Sequence, residues 1–205
     1  MFGADRARSG QVLIDGTPTR RRSPRRSIRA GLGMVPESRR DLGLVMQRSV
    51  AENVGLASLE KFARFGFVNR RSLSRAGAEM ITRLDIRTLN ADVAVGRMSG
   101  GNQQKTMFGK WVTTSPRVLI IDEPTRGVDI GAKQGIYDLI VSMARDGVAV
   151  LLISSELEEI LGLSHRILVM SRGRVVTELA GDRMTESNVM EAAFSLEPEI
   201  GGVSR

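Results

Sequence analysis

Two short segments combine residue types that could do phosphate chemistry: Ser99-Gly100-Gly101, and further along the chain Asp122-Glu123. Paired glycines let backbone N–H groups approach a ligand closely, and N–H groups at a helix start attract an anion. Two adjacent carboxylates at the end of a buried strand can divide the work, one holding hydrated Mg²⁺ and the other orienting an attacking water. Taken singly, each segment is weak. Ser-Gly-Gly commonly just opens a helix, and Asp-Glu after a strand is commonly a cap or a solvated turn. In this order, with Gly127-Val128-Asp129 following, they point together to phosphate chemistry.

The surrounding pattern supplies elements to position them. Met107, Phe108, Trp111 and Val112 share one face at helical spacing, which predicts a helix from about Asn102 to Thr113. Val118-Leu119-Ile120-Ile121 reads as a buried strand whose carboxyl end carries Asp122-Glu123-Pro124-Thr125. Ile136, Leu139, Ile140 and Met143 form a helical stripe stopped by Asp146-Gly147, and Val148 to Ile153 reads as a second buried strand. Strand, helix and strand at this spacing predict a right-handed parallel crossover. Earlier, Gln11–Ile14 with Asp15-Gly16 predicts a hairpin turn, Ser23-Pro24 a short helix, and Gly31–Val35 a short strand. Ser49-Val50-Ala51-Glu52 is a capping box, and Leu73, Ala76, Met80, Ile81 and Leu84 recur at helical spacing. Phe62, Phe65 and Phe67 lie between these two helices in a basic, irregular stretch, and core packing is expected for at least two of them. Arg166–Met170 and Arg174–Leu179 around Ser171-Arg172-Gly173 read as a β-hairpin, and Thr185–Ala193 as a last helix with Thr185 as its cap and Asn188 at the capping-box position.

At the level of these strings the chain resembles the ATP-binding cassette ATPases. SGGNQQK is similar to their signature motif, VLIIDEP to their Walker B strand, and GVD to their D-loop. The longer pattern MSGGNQQK…IIDEPTRGVDIGAK…LLISSELEEILGL resembles the second cassette of bacterial monosaccharide importers of the ribose, galactose and xylose type. The resemblance implies an α/β fold: part of a P-loop NTPase cassette with a mostly parallel core sheet, an inserted helical lobe and peripheral antiparallel strands. It divides the chain into partial core (1–41), helical lobe (42–96), the signature-to-switch part of the core (97–198) and a tail (199–205). It assigns nucleotide contact to Ser99, Gly100, Gly101, Asn102, Gln103 and Asp129, with the signature acting in trans on a nucleotide held by a second cassette. Asp122 would hold Mg²⁺ through water, Glu123 would polarise the hydrolytic water, and Asp129 would link the two sites of a dimer.

Two positions depart from the family pattern. Glu37 stands where a Q-loop glutamine is general, as it does in sugar-type second cassettes; the alternative is a surface carboxylate neutralised by Arg39 and Arg40. Ser155 aligns with the switch histidine that contacts the γ-phosphate. A serine can donate a hydrogen bond there but carries no positive charge. Ser155 could equally cap the helix through Leu157 and Ile160. The single histidine, His165, lies elsewhere and reads as structural.

Composition bounds the rest. Of 205 residues 41% are hydrophobic, ordinary for one globular domain with a lobe, and no apolar run approaches the roughly 18 residues of a membrane span. Net charge is +7, much of it in Arg20-Arg21-Arg22-Ser23-Pro24-Arg25-Arg26, which would suit nucleic acid or lipid headgroups. With only 4% aromatic residues for base stacking, nucleic acid is not expected and a solvated surface is. The resemblance implies ATP and Mg²⁺ as cofactors. The implied partners are another cassette, membrane permease subunits and, indirectly, an extracytoplasmic sugar-binding protein, at a peripheral position on the cytoplasmic face of the plasma membrane. A second reading is a non-catalytic module that offers its signature in trans.

The 205 residues hold no Walker A pattern: Gly127–Lys133 has Ala132 at the second glycine position, and Lys105-Thr106 follows Gln104. These residues alone are therefore expected to bind ATP poorly and hydrolyse it negligibly. Phosphate release by the purified chain measures this, and turnover that Glu123→Gln abolishes would overturn it.

Overall fold

The computed structural model describes residues 2–4, 9–18 and 23–194, so Arg20-Arg21-Arg22 of the basic run and the tail at 199–205 lie outside the described residues. The chain begins with a hairpin, β1 (Leu13–Ile14) and β2 (Thr17–Pro18), turning on Asp15-Gly16 with φ of 48° and 72° as its sequence predicts. Ser23 then caps α1 (Pro24–Arg29), its hydroxyl accepting from the Arg26 N–H. β3 (Leu32–Val35) follows, and a single π-helical turn over Arg39–Gly43 leads away from it.

The helical lobe starts at the capping box. Ser49 Oγ accepts from the Glu52 N–H, and the Glu52 carboxylate accepts from the Ser49 N–H, opening α2 (Val50–Gly55). That backbone hydrogen bond holds the Glu52 carboxyl below its ordinary pKa. Next come α3 (Leu59–Phe62), the two-residue strands β4 (Ala63–Arg64) and β5 (Phe67–Val68), and α4 (Arg70–Arg83). Here one expectation fails. Phe62 packs against Ala51, Leu73 and Ala91, but Phe65 is 88% and Phe67 81% exposed. The β4–β5 hairpin turns on Phe65-Gly66, which carries both phenylalanines outward instead of into the core.

α5 (Gly100–Val112) is buried on almost every side, from Gly101 through Val112 with few gaps. It lies against β3 through an absent side chain. A Cβ on Gly33 would fall 3.2 Å from the Trp111 ring and 2.8 Å from Leu119. β6 (Val118–Asp122), α6 (Ile130–Arg145) and β7 (Ala149–Ile153) complete a three-stranded parallel sheet in the order β3-β6-β7. Leu32 pairs with Val118 on one side of β6 and Val118 with Ala149 on the other, so the predicted crossover is present. β6 is the buried strand the sequence implies. β7 is not buried: it ends the sheet order, and Ile153 is 46% exposed.

Among the described residues the chain divides into two compact units, Met1–Ile153 and Ser154–Arg205, and the expected helical lobe falls inside the first. The second holds α7 (Leu157–Leu163), the hairpin β8 (Arg166–Ser171) and β9 (Arg174–Ala180) turning on Arg172-Gly173, and α8 (Glu186–Phe194). Its core is Ile167, Val169, Val176 and Leu179, covered by Ile160, Leu161, Met184 and Val189. Thr185 Oγ1 accepts from the Asn188 N–H, as its sequence position predicts.

Two tests follow from the packing of α5. Lys110 is 6% exposed, and its Nζ donates to the Gly43 carbonyl at 2.5 Å and lies 5.1 Å from the Trp111 ring. Burial lowers its pKa from 10.5 to about 8. Between these two values the folded chain binds fewer protons than the unfolded one, so stability rises as pH rises through the window. Chemical denaturation at pH 7 and pH 10 is expected to show a gain on the order of 1–2 kcal/mol larger for the native sequence than for Lys110→Met; equal gains would refute it. Separately, a Cβ on Gly101 would lie 2.8 Å from the Ala132 Cβ. Gly101→Ala should cost about 1–3 kcal/mol by overpacking. Adding Ala132→Gly should cost less than the sum of the two single changes, and strict additivity would rule the contact out.

Candidate functional site

The start of α5 presents unfilled donors. Ser99 occupies the cap position with extended backbone (φ −63°, ψ 158°), yet its hydroxyl caps no N–H of the helix. Instead Ser99 Oγ accepts from Asn102 Nδ2 at 2.8 Å, and Asn102 Oδ1 accepts from the Arg87 N–H at 2.7 Å. The hydroxyl and loop are thus held in place without consuming the first-turn N–H groups, which suits an anion at the helix start. Gln103 sits differently from expectation. It is buried, and its Nε2 donates to the carbonyls of Met98 at 2.9 Å and Val95 at 3.4 Å. Its side chain shapes the loop from beneath and is not offered to a ligand.

The second segment is fixed by the sheet. Asp122 is the last residue of β6 and pairs with Ile153. Glu123 follows at φ 49°, a left-handed conformation that is uncommon for a residue with a Cβ, and its N–H donates to the Ile153 carbonyl at 2.9 Å. Both carboxyl-bearing residues are half-buried. The turn closes through Arg126 N–H to Glu123 carbonyl at 3.2 Å and is anchored by buried Thr125 and Val128. Asp129 then caps α6, its Oδ1 accepting from the Ala132 N–H at 3.1 Å.

Two arginines that the sequence reading did not assign join these segments. Arg39 donates to the carbonyls of Gly127 at 3.0 Å and Arg126 at 3.2 Å, and reaches Gln104 Oε1 at 3.5 Å. A Cβ on Gly100 would sit 3.3 Å from the Gly127 carbonyl and 3.6 Å from the Arg39 guanidinium, so the helix start abuts the same loop. Burial, with the neighbouring charge of Arg40, lowers the Arg39 pKa. Glu37 is not neutralised by Arg39 and Arg40, as one reading had it; it forms an ion pair with Arg126. Arg39 is occupied elsewhere because the π-helical turn that begins at it carries its side chain toward α5. Signature loop, Glu37 segment and the loop after Asp122-Glu123 therefore meet. Only Arg126 stood inside a quoted motif; nothing in the spacing marks Arg39.

Ser155 belongs to the second unit, where it lies exposed in the turn before α7. It is not the helix cap. Glu156 holds that position, and the hydroxyl that bonds the local backbone is that of Ser154, which accepts from the Glu156 N–H at 2.9 Å and donates to buried Glu159 at 2.7 Å. His165, exposed at the start of β8, joins no cluster. Among the described residues no group of three or more His, Cys, Asp or Glu side chains converges as a metal cage. A carboxylate pair is what Mg²⁺ shared with phosphates and water asks for, so Asp122 and Glu123 fit that ion.

The fold is similar to a nucleotide-free ATP-binding cassette from an ABC transporter, with a TM-score of 0.77 over 93% of this chain and 76% of that one at 19% identity. It is also similar to a dimeric bacterial ABC transporter cassette, with a TM-score of 0.69 over 86% of this chain and 75% of that one at 22% identity. The sequence is 45% identical over 193 residues to the ribose import ATP-binding protein RbsA of Yersinia pestis bv. Antiqua (strain Antiqua), covering 94% of this chain and 38% of that protein. It is 44% identical over 193 residues to RbsA of Geobacillus kaustophilus (strain HTA426), covering 94% of this chain and 39% of that protein. The chain thus spans about two fifths of the length of the curated relatives it matches. The ABC transporter family model matches residues 1–126, more than half of the sequence, and the chain belongs to the ABC transporter family.

Proposed function

We propose that this chain is nucleotide-handling machinery of an ATP-driven importer for monosaccharides, with ribose the first sugar to test. One observation carries the reading: the Asp122-Glu123 pair ends β6 and runs into the loop that Arg39 ties to the uncapped start of α5. The ribose import relatives supply the cargo class.

In this reading Ser99 and the N–H groups of Gly100 and Gly101 close over the terminal phosphate of a nucleotide held by another cassette. Asp122 would hold Mg²⁺ through water, and the ion would supply charge neutralisation to the phosphates. Glu123 would orient the attacking water and accept its proton. Glu123 holds a left-handed backbone, and its N–H donates to the Ile153 carbonyl, which fixes the peptide. Asp129 stands beside the dimer partner, and Glu37 relays occupancy through Arg126 to the same loop. An apolar groove on the helical lobe, formed by Val45, Leu56, Leu59, Val68 and Leu73, receives the permease. A sugar-binding protein outside the membrane delivers cargo to that permease, and the chain works peripherally on the cytoplasmic face.

The test is uptake of labelled ribose, galactose and xylose by the organism that makes this protein. Glu123→Gln should lower energised uptake of at least one sugar by about a hundredfold or more at unchanged protein level, the scale of losing a general base. Undiminished uptake of all three would sink the reading.

A further inference from the structure

The β4–β5 hairpin spends strain on display. Phe65 adopts φ 52° in the first turn position, where a bulky side chain is unfavourable, and its ring is 88% exposed. Phe67 is 81% exposed and Val68 43%. The hairpin base is firm: Phe62 packs inward, and the Asn69 N–H donates to the Phe62 carbonyl at 2.8 Å. Nothing in the fold gains from the two outer rings beyond Arg64, whose guanidinium lies 5.4 Å over the Phe65 ring.

Along the sequence the charge around the tip is one-sided, while Glu52 and Asp92 line the adjoining groove together with Val68 and Arg70. From Lys61 to Ala78 the sequence holds five cations, Lys61, Arg64, Arg70, Arg71 and Arg75, and no Asp or Glu. Lys61 Nζ is bound to the Thr113 carbonyl, while the four arginines are exposed and have no ion-pair partner among the described residues. The nearest acid in sequence, Glu60, is already held by Arg25 at 2.7 Å and Arg29 at 3.1 Å.

We infer that the β4–β5 hairpin is a lipid-surface anchor: Phe65 and Phe67 enter the headgroup region of an anionic bilayer while Arg64, Arg70 and Arg71 meet its phosphates. Aromatic rings on a cationic rim partition to that interface, and each cation near an anionic surface adds to binding. A protruding tip fits a broad yielding surface better than it fits a groove-lacking protein face. Val68 and Arg70 also line the groove assigned above to the permease, so the tip lies on that groove's side of the lobe. This last point rests on the proposed function; the charge and exposure do not.

Co-sedimentation of the full chain with phosphatidylcholine–phosphatidylglycerol vesicles, against phosphatidylcholine alone, decides it independently of sugar uptake. Binding should require the anionic lipid, weaken with salt, and fall about tenfold in Phe65→Ser/Phe67→Ser, a change that leaves every cation in place. Equal binding by that variant would reduce the effect to net charge and overturn the anchor, as would no binding at low salt. Phe65→Trp should be quenched by brominated anionic lipid; unquenched fluorescence on sedimenting protein overturns insertion. Binding of a single-stranded oligonucleotide that the double variant loses, with vesicle binding retained, would assign the tip to nucleic acid instead.

Discussion

Helix α5 must satisfy its polar atoms without water, and the first unit is arranged around that requirement. A helix apolar on one face leaves its polar side chains to solvent, but α5 buries Gln103, Gln104, Thr106 and Lys110 along with Met107, Phe108 and Trp111. An unpaired buried polar group costs on the order of 1–3 kcal/mol, so these four polar side chains need protein partners, while Trp111 Nε1 stays buried without one among the described residues. Gln103 finds the carbonyls of Met98 and Val95, Thr106 that of Asn102, Lys110 that of Gly43, and Gln104 the guanidinium of Arg39. Apart from Asn102, which lies in α5 itself, these partners belong to the loop before α5 and the π-helical turn after β3. The same bonds that make the helix buriable therefore fix the two loops that flank the candidate phosphate site.

The two arginines at that junction do not weigh equally. The Glu37–Arg126 ion pair is largely exposed, with side chains 41% and 66% accessible, and exposed pairs contribute about 0–1 kcal/mol. Arg39 is partly desolvated and meets no carboxylate, only carbonyl oxygens and an amide. Hydrogen bonds from a charged donor are worth about 1.5–3 kcal/mol each when formed. Arg39 is thus the stronger tie between the loop after Glu123 and α5, and Glu37 can exchange partners at little cost.

How much of this the sequence discloses depends on how local the determining interaction is. The Ser49–Glu52 box, the Ser23 and Thr185 caps, the Asp-Gly turn at Asp15 and the aliphatic core of β6 are written within four or five residues, and all take the predicted form. Phe65 and Phe67 misled because hydrophobicity marks them as core, while a two-residue turn decides which way they point. β7 misled similarly: Val148 to Ile153 is as aliphatic as β6, yet β7 ends the sheet order and is half-exposed, whereas β3 at the other end is covered. Ser155 does not cap α7, because the helix begins one residue later than that reading requires and Glu156 takes the cap position. Arg39 was invisible because its partners lie 65 to 88 residues away in sequence.

The carboxylate pair shows how register governs chemistry. Side chains alternate across a strand, so a one-residue slip of β6 against β7 would send Asp122 to the opposite face. The parallel pairing from Val118–Ala149 to Asp122–Ile153 prevents it, because β6 is hydrogen-bonded on both sides and a slip would break both ladders together. Beyond the last rung the strand cannot simply continue, since Glu123 turns to φ 49°. Such a residue persists only where its surroundings over-determine it. The Ile153 carbonyl, the Arg126 N–H and buried Thr125 and Val128 do so here. The two carboxylates are consequently aimed by different parts of the molecule, Asp122 by the sheet and Glu123 by the turn.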